Sequence, residues 1–554
     1  MCLALLLPVL GAGLAQSALA QSAAPPPLLR ASLSQMDAKA PAFLANGVIG
    51  LRMPPNPLVG GSGAGMAGGG NALVMGFYKV MGGSIGNQPS PAPAPYPFET
   101  ALSVNNVSMG QHPELVTVHS ATLNTSCGEL TTALAFACSN CSAPFAVTIV
   151  ATAFLSRKIP TLAVMNVSMT FTPSDAEVRI GPNLLPPGSF HKPDPDPVVV
   201  DVPCLSQWSK TAGFPPFATA TDGSLEALIG LRHASRFAQQ QSSLGVAASV
   251  LRRSPEPGRL DYHLSAAMLS SRYSSRPIEQ SIRIALTGIS PVLGGRDGAT
   301  QPMASQHTPE RLQRENREAW AELWKGRVQL SGPGVTAEDQ RVIDLAYFYQ
   351  HSAVHRSTLD GSACYGLSEW GALGGEIFWD QDAWQQGVTA LSDPAAGLSL
   401  ARFRVRTHDA ARKEAAQFGF AGAMYPWQSS GLDGYESLFA DAWSGGQTET
   451  HITPDVAVGL WESTRLSGDD DFGRSEAWPV IADVARWVMS RGEVTDRGFE
   501  LRNTQGPDET ERGISNDSFM NMVRGRCHNI AAVWVAFFLK MAAILPLTGL
   551  PQGA

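Results

Sequence analysis

The stretch QGPDETERGISNDS, residues 505–518, sets two acids, Asp508 and Glu509, directly after Gly506 and Pro507. Gly-Pro breaks helix and strand alike, so the two carboxyls sit on a turn. Such a pair reads either as a solvated surface turn or as a carboxylic acid held at the mouth of a pocket for general acid work. A second set of residues bears on the choice. Eight of the twelve tryptophans fall between Trp370 and Trp487, several beside carboxylates, as in EIFWDQDAW, AMYPWQSSGLDGYES and DAWSGGQTETH. A sugar offers a flat C–H face to an indole and hydroxyls to carboxylates. Aromatics and acids sharing loops at helix ends therefore point to a carbohydrate site. No cofactor is expected: there is no HExxH, the eleven histidines show no ligand spacing, and no G-x-S-x-G elbow occurs.

These residues need elements to hold them. From about residue 30 to 305 the chain has short β-type runs, such as LVTVHSATL, FAVTIVATAFL and TLAVMNVSMTFT, separated by turn residues. That pattern predicts a β-sandwich. Within it, the glycine-rich run from Gly60 to Asn71 lacks the Lys-Ser/Thr of a phosphate loop and reads as a flexible loop. The character changes at Thr308, a helix cap followed by Pro309 at the first helical position, with a stop at Gly326. Beyond it the pattern is mostly helical. One helix is expected from Asp393-Pro394 to near Gly419, carrying Leu398, Leu400, Phe403 and Val405. Another is expected to be capped by Ser475 and to end at Gly492, with Trp478, Ile481, Ala485 and Val488 on one face. The last apolar run, IAAVWVAFFLKMAAILPL, is interrupted by Lys540 and ended by Pro546. It reads as a helix buried in a large core rather than a membrane span.

The 554 residues are 44% hydrophobic and 16% charged, the balance of an ordinary folded chain, and the net charge of −8 argues against a nucleic-acid partner. The opening MCLALLLPVLGAGLAQSALAQ has an apolar core and then Ala18-Leu19-Ala20, read as a secretory signal over residues 1–20. The expected location is therefore secreted, or the lumen of the secretory pathway or vacuole. Sequons at Asn106, Asn124, Asn140, Asn166 and Asn516 agree with it. Six cysteines remain after the signal, an even count that suits disulfides. Cys138-Ser-Asn-Cys141 is read as part of a disulfide arrangement near Cys127 rather than as a zinc or redox pair.

With those residues in hand, the stretches GGEIFWDQDAW, RFRVRTHDAARKEAAQFGFAGAMYPW, QTETHITPDVAVGLWEST and LRNTQGPDETERGISNDSFMN, and the earlier FLANGVIGLR, resemble glycoside hydrolase family 65. The resemblance runs from about residue 35 to 545 and is strongest in the helical part. It implies a multi-domain β + α chain: an N-terminal β-sandwich (30–305), a helical linker (306–334) and an (α/α)6 barrel (335–554). It implies hydrolysis of a terminal α-linked glucose with inversion, on a glucoside, oligosaccharide or glycoprotein glycan. Glu509 matches the family's proton donor in Gly-Pro-Asp-Glu, while Trp379 and Asp380 match the pair that grips the glucose. A neighbouring charge such as Asp508 can raise the pKa of that donor. The chain departs from the family at Thr510, at Gln428 after Trp427, and in SNDSFMN (515–521). Roughly six helices are expected from residue 335, half of what the barrel implies, so the chain is expected to be truncated and weak or inactive alone. An inverting hydrolase needs a second carboxylate roughly 6.5–9.5 Å from the acid, and Glu449, Glu436 and Asp433 are the nearby substitutes. The same resemblance leaves open a trehalase, a phosphorylase, or a sugar-binding protein without turnover.

Overall fold

A computed structural model describes residues 28–31, 42–59, 71–83, 86–94, 96–182, 218–219, 225–226, 229–237, 240–253, 256–270, 272, 308–364, 366–367, 375–437, 448–508, 510–511 and 513–544. The signal segment, the glycine-rich run before Asn71 and Glu509 lie outside the described residues. Strands dominate up to Ser270 and helices from Pro309 onward.

The strand Phe145–Leu155 shows why this part is sheet. Phe145, Val147, Ile149 and Ala151 are buried while Ala146, Thr148 and Val150 face out, a strict period of two. It pairs antiparallel with Glu129–Cys138 on one side and Leu162–Thr172 on the other, with Ile149 opposite both Leu134 and Met169. These strands are the middle of an eight-stranded sheet whose one half ends at Leu28–Ala31 and Val116–Asn124, and whose other half runs through Arg259–Ser270, Gln240–Arg253 and Ile229–Phe237. A four-stranded sheet, Ala42–Ala45, Ile49–Met53, Asn71–Gly83 and Gly86–Ala94, lies over it. Leu51, Val74 and Phe77 from the smaller sheet share one core with Leu134, Ile149, Met165 and Leu264 from the larger.

Helix α1 (Pro309–Leu323) begins as expected, with the Thr308 hydroxyl accepting from the Arg311 N–H. It lies on the larger sheet: Leu312 packs with Phe154, Leu162 and Val164, and Arg317 makes a fork to Glu129 at 2.6 and 2.7 Å. Helix α2 (Ala337–Ala353) starts with a capping box between Thr336 and Asp339. Its last turn is finished from the sheet layer. The buried Arg157, just past the strand Phe145–Leu155, donates to the carbonyls of His351 (2.5 Å) and Val354 (3.1 Å) and lies 5.0 Å over Trp320. Gly47 (φ +82°) passes so close that a Cβ there would sit 2.4 Å from the His355 nitrogen.

Among the described residues the remaining longer helices are α3 (Gln386–Ser392), entered through a π turn at Gln381–Gln385, α4 (Pro394–Arg406), α5 (His408–Gln417), α6 (Ile452–Ser467), α7 (Trp478–Arg491) and α8 (Ser518–Ile544), with a single turn at Asp470–Phe472 leading into α7. Leu398, Val456, Leu460, Val480, Ile481, Val523 and Cys527 form their common core.

Three expectations are corrected, and the disulfide reading of Cys138 and Cys141 holds with its partners now named. The helix expected from Asp393 to Gly419 is two helices, broken at Thr407, whose side chain fills the space a Cβ on Gly434 would need. Ser475 caps nothing: it lies in a π turn (Gly473–Ala477), donates to the Asp471 carbonyl, and Asp469 provides the cap by accepting from the Phe472 N–H. Cys138 bonds Cys141, and Cys127 is a buried thiol pushed up to about 11 chiefly by burial. Cys127 precedes the strand Glu129–Cys138 and Cys138 ends it, so the two are about 30 Å apart along the strand, beyond any disulfide. As far as residue 536, the final helix is buried on one face, through Ile530 and Trp534, while Val533 and Val535 are exposed, so this part is not enclosed in a core. Among the described residues no helix is long and apolar enough to cross a membrane.

Candidate functional site

Three segments meet at one edge of the helical layer. The first is the loop before α3. Asp382 and Arg404 form a buried ion pair, Nη2 to Oδ2 2.6 Å, with both side chains at or below 1% exposure. Arg404 also donates to the Phe378 carbonyl (3.2 Å) and to Ser429 Oγ (2.7 Å), and its own carbonyl accepts from Tyr425 Oη (2.7 Å). The chain on either side of Trp379 and Asp380 is therefore pinned from below. Both are half-buried. Burial, and then the Asp380 charge close by, push the Cys364 thiol up to about 12.

The second segment is Thr448–His451, leading into α6. His451 is fully buried and lies between two carboxylates, Nδ1 to Asp455 Oδ2 2.7 Å and Nε2 to Glu449 Oε1 3.2 Å. Burial alone would discharge the ring, but the two hydrogen bonds outweigh it and raise the imidazolium above its usual range. The His451 ring stands edge-on to Trp379, centroids 4.8 Å apart.

The third is the acid turn. Gln505 is fully buried and tied twice to Thr448: its N–H donates to the Thr448 carbonyl (3.0 Å), and its Oε1 accepts from Thr448 Oγ1 (2.8 Å). Gly506 has no room for a side chain, because a Cβ would sit 2.7 Å from Asp517 Oδ1. Asp517 in turn caps α8 through the Met520 N–H, and Asn516 accepts from the Leu501 N–H. On the exposed Asp508, hydrogen bonds from Thr510 hold the carboxyl below the usual range. Phe519, in the first turn of α8, is 4.9 Å from His451 and 5.8 Å from Trp379. The described residues flanking the acid stretch, Gln505 and Gly506 before it and Asn516 to Phe519 after it, are thus anchored beside Trp379.

The substitutes for a second carboxylate separate. Glu436 accepts from the N–H groups of Trp427 (3.0 Å) and Gln428 (3.3 Å), and Asp433 accepts from the Tyr435 N–H, so each shapes its own loop. Glu449 is 2% exposed and stands beside Trp379 through His451. The sequence reading missed Arg404, His451, Asp455 and Gln505. The His451–Asp455 spacing of four on a helix entry was the one available signal. It also missed Glu376, whose carboxyl is pushed well up by burial, with Asp433 and Glu436 adding to it. Among the described residues no group of three His, Cys, Asp or Glu is arranged to hold a metal. A separate small cleft lies between Val74–Tyr78 of the smaller sheet and Asp360–Ala363, and holds none of these residues.

Residues 345–540 match the model of the glycosyl hydrolase family 65 central catalytic domain. The match takes in all three segments of the site. The chain is 32% identical over 212 residues to a kojibiose hydrolase of Flavobacterium johnsoniae, covering 38% of this chain and 30% of that protein. It is 29% identical over 233 residues to protein-glucosylgalactosylhydroxylysine glucosidase of Gallus gallus, covering 40% and 32%. It is also 31% identical over 229 residues to a kojibiose phosphorylase of Halothermothrix orenii, covering 38% and 28%. The chain thus matches about a third of the length of these family 65 relatives. A solved structure from the human microbiome, provisionally named a kojibiose phosphorylase, superposes with a TM-score of 0.68 at 14% identity, over 92% of this chain and 65% of that one. The mixed arrangement of sheets and helices is therefore similar to the fold of that structure.

Proposed function

We propose that this chain carries the sugar-gripping wall and the proton donor of a family 65 enzyme that cleaves a terminal α-linked glucose, with the helices from α2 onward forming part of an (α/α)6 barrel. Trp379 stacks on the glucose ring and Asp380 accepts its hydroxyls. Glu509 protonates the glycosidic oxygen. The observation that carries this reading is the meeting of the Trp379 loop, the His451 segment and the anchored residues flanking the acid stretch. A free water or phosphate then completes displacement at the anomeric carbon, activated by a group outside the residues assigned here. Hydrolysis is the first reading, as for the kojibiose hydrolase and the hydroxylysine-linked glucosidase among the relatives. Phosphorolysis is the second, favoured by the phosphorylase relatives. The N-terminal segment is proposed to direct the chain to a secretory compartment.

The test is incubation of the purified chain with kojibiose, with and without inorganic phosphate, following glucose and glucose 1-phosphate. Glucose alone supports the hydrolase and glucose 1-phosphate the phosphorylase. Glu509→Gln is expected to lower turnover about 10²- to 10⁴-fold, while glucose binding measured by calorimetry stays within about threefold. Equal turnover by Glu509→Gln refutes the proton-donor role. Glucose binding without turnover in either form makes the chain a binding protein.

A further inference from the structure

Buried polar atoms almost always find partners, so those that do not are informative. Two side chains of the site each have one end fixed and the other bare. Glu449 holds His451 through Oε1, and its Oε2 has no hydrogen-bond partner among the described residues. Gln505 accepts from Thr448 through Oε1, and its Nε2 has none. Their exposures are 2% and 0%. Thr450 Oγ1, next to Glu449, is bare as well. Glu449 and Thr450 directly follow Thr448, which holds Gln505, and they precede His451, whose ring meets Trp379 edge-on. We propose that Glu449 and Gln505 are substrate-positioning residues: Glu449 accepts from one hydroxyl of the glucose stacked on Trp379, and Gln505 donates to the oxygen of another.

The chemistry fits in three respects. His451 meets Asp455 through Nδ1 and Glu449 Oε1 through Nε2, so Glu449 is fixed at one oxygen while the other is left to accept. A bare carboxylate oxygen and a bare amide N–H form an acceptor–donor pair, the complement of sugar hydroxyls, each of which does both. Both side chains are already ordered by their other ends, so binding costs them little rotamer freedom. This inference rests on the sugar reading of the Trp379 wall.

The test is calorimetric titration of D-glucose and its 2-, 3-, 4- and 6-deoxy analogues into the whole chain, wild type and Glu449→Gln. One analogue is expected to bind wild type about 10- to 100-fold more weakly than glucose. That penalty is expected to shrink below about threefold in Glu449→Gln, a coupling that a merely structural role would not move. Gln505→Met, which keeps the side chain's shape, should erase the penalty for a different hydroxyl, and serves if Glu449→Gln fails to fold. Identical analogue penalties in wild type and both variants overturn the proposal, leaving the bare atoms to an ordered water. If Trp379→Ala binds glucose as wild type does, or wild type binds none, the sugar reading itself fails and the proposal with it.

Discussion

The Arg404–Asp382 pair is the most exacting test of how the site is held. Arg404 is 0% exposed and Asp382 2%, and the guanidinium grips the carboxylate at 2.6 and 3.1 Å. Removing one partner of such a pair strands a buried charge, at a cost of about 3–5 kcal/mol. Arg404→Met also loses the bonds to Phe378 and Ser429, each worth about 1.5–3 kcal/mol when the donor is charged. Because these losses overlap, we expect Arg404→Met to cost about 5 kcal/mol and Asp382→Asn about 3 kcal/mol. The double variant Arg404→Met/Asp382→Leu should recover about 2 kcal/mol or more of the summed loss, since no charge is left unpaired. Urea unfolding followed by tryptophan fluorescence gives each value. A parallel glucose titration should show affinity falling about tenfold in Arg404→Met, because Phe378 adjoins Trp379 although Arg404 itself is out of reach of the sugar. Single variants that each cost under about 1 kcal/mol, or that add within about 0.5 kcal/mol, would refute the reasoning.

Acid should loosen the seam between sheets and helices. Burial, with Arg157 beside them, lowers His351 and His355 to about 4 from 6.5. Folded, both stay neutral while the unfolded chain takes up protons below 6.5, so stability falls as pH drops from 6.5 toward 4 and is unaffected above 6.5, by on the order of 3 kcal/mol each. Urea midpoints at pH 7.5, 6 and 5 check this: the slope should flatten in His351→Gln/His355→Gln, and parallel profiles would refute it. Gly506→Ala should push Asp517 off the α8 cap, costing about 1 kcal/mol and lowering turnover about tenfold or more. An unchanged melting temperature and rate would show that the turn has slack.

Local chemistry was legible in the sequence, and contact chemistry was not. Thr308 with Pro309 announces a helix start because cap and first turn are four residues apart at most, and the alternation in FAVTIVATAFL announces a strand for the same reason. The break at Thr407 is not announced by the pattern, which stays helical on both sides, and Thr407 there packs against Gly434, far along the chain. The Trp379–Asp380 loop was visible as aromatics beside acids, but its support was not, since an arginine is ordinarily read as surface and Arg404 is buried. Glu449 was visible only as one acid among several. Its standing apart from Glu436 and Asp433 depends on which loops each carboxylate stitches, and that is a tertiary fact.

Arg157 gives the two layers a shared fate. The terminal carbonyls of α2 are satisfied by a side chain that belongs to the sheet, and Gly47 lies against the same turn without room for a single methyl. The catalytic-type region is therefore not a portable module. A fragment beginning at Thr308 would lose the cap of α2, fray into the 354–364 segment, and release Cys364 and Gln385 beside Asp380. Transplanting this site into another scaffold requires carrying the β layer with it, or rebuilding one guanidinium and one glycine at that seam.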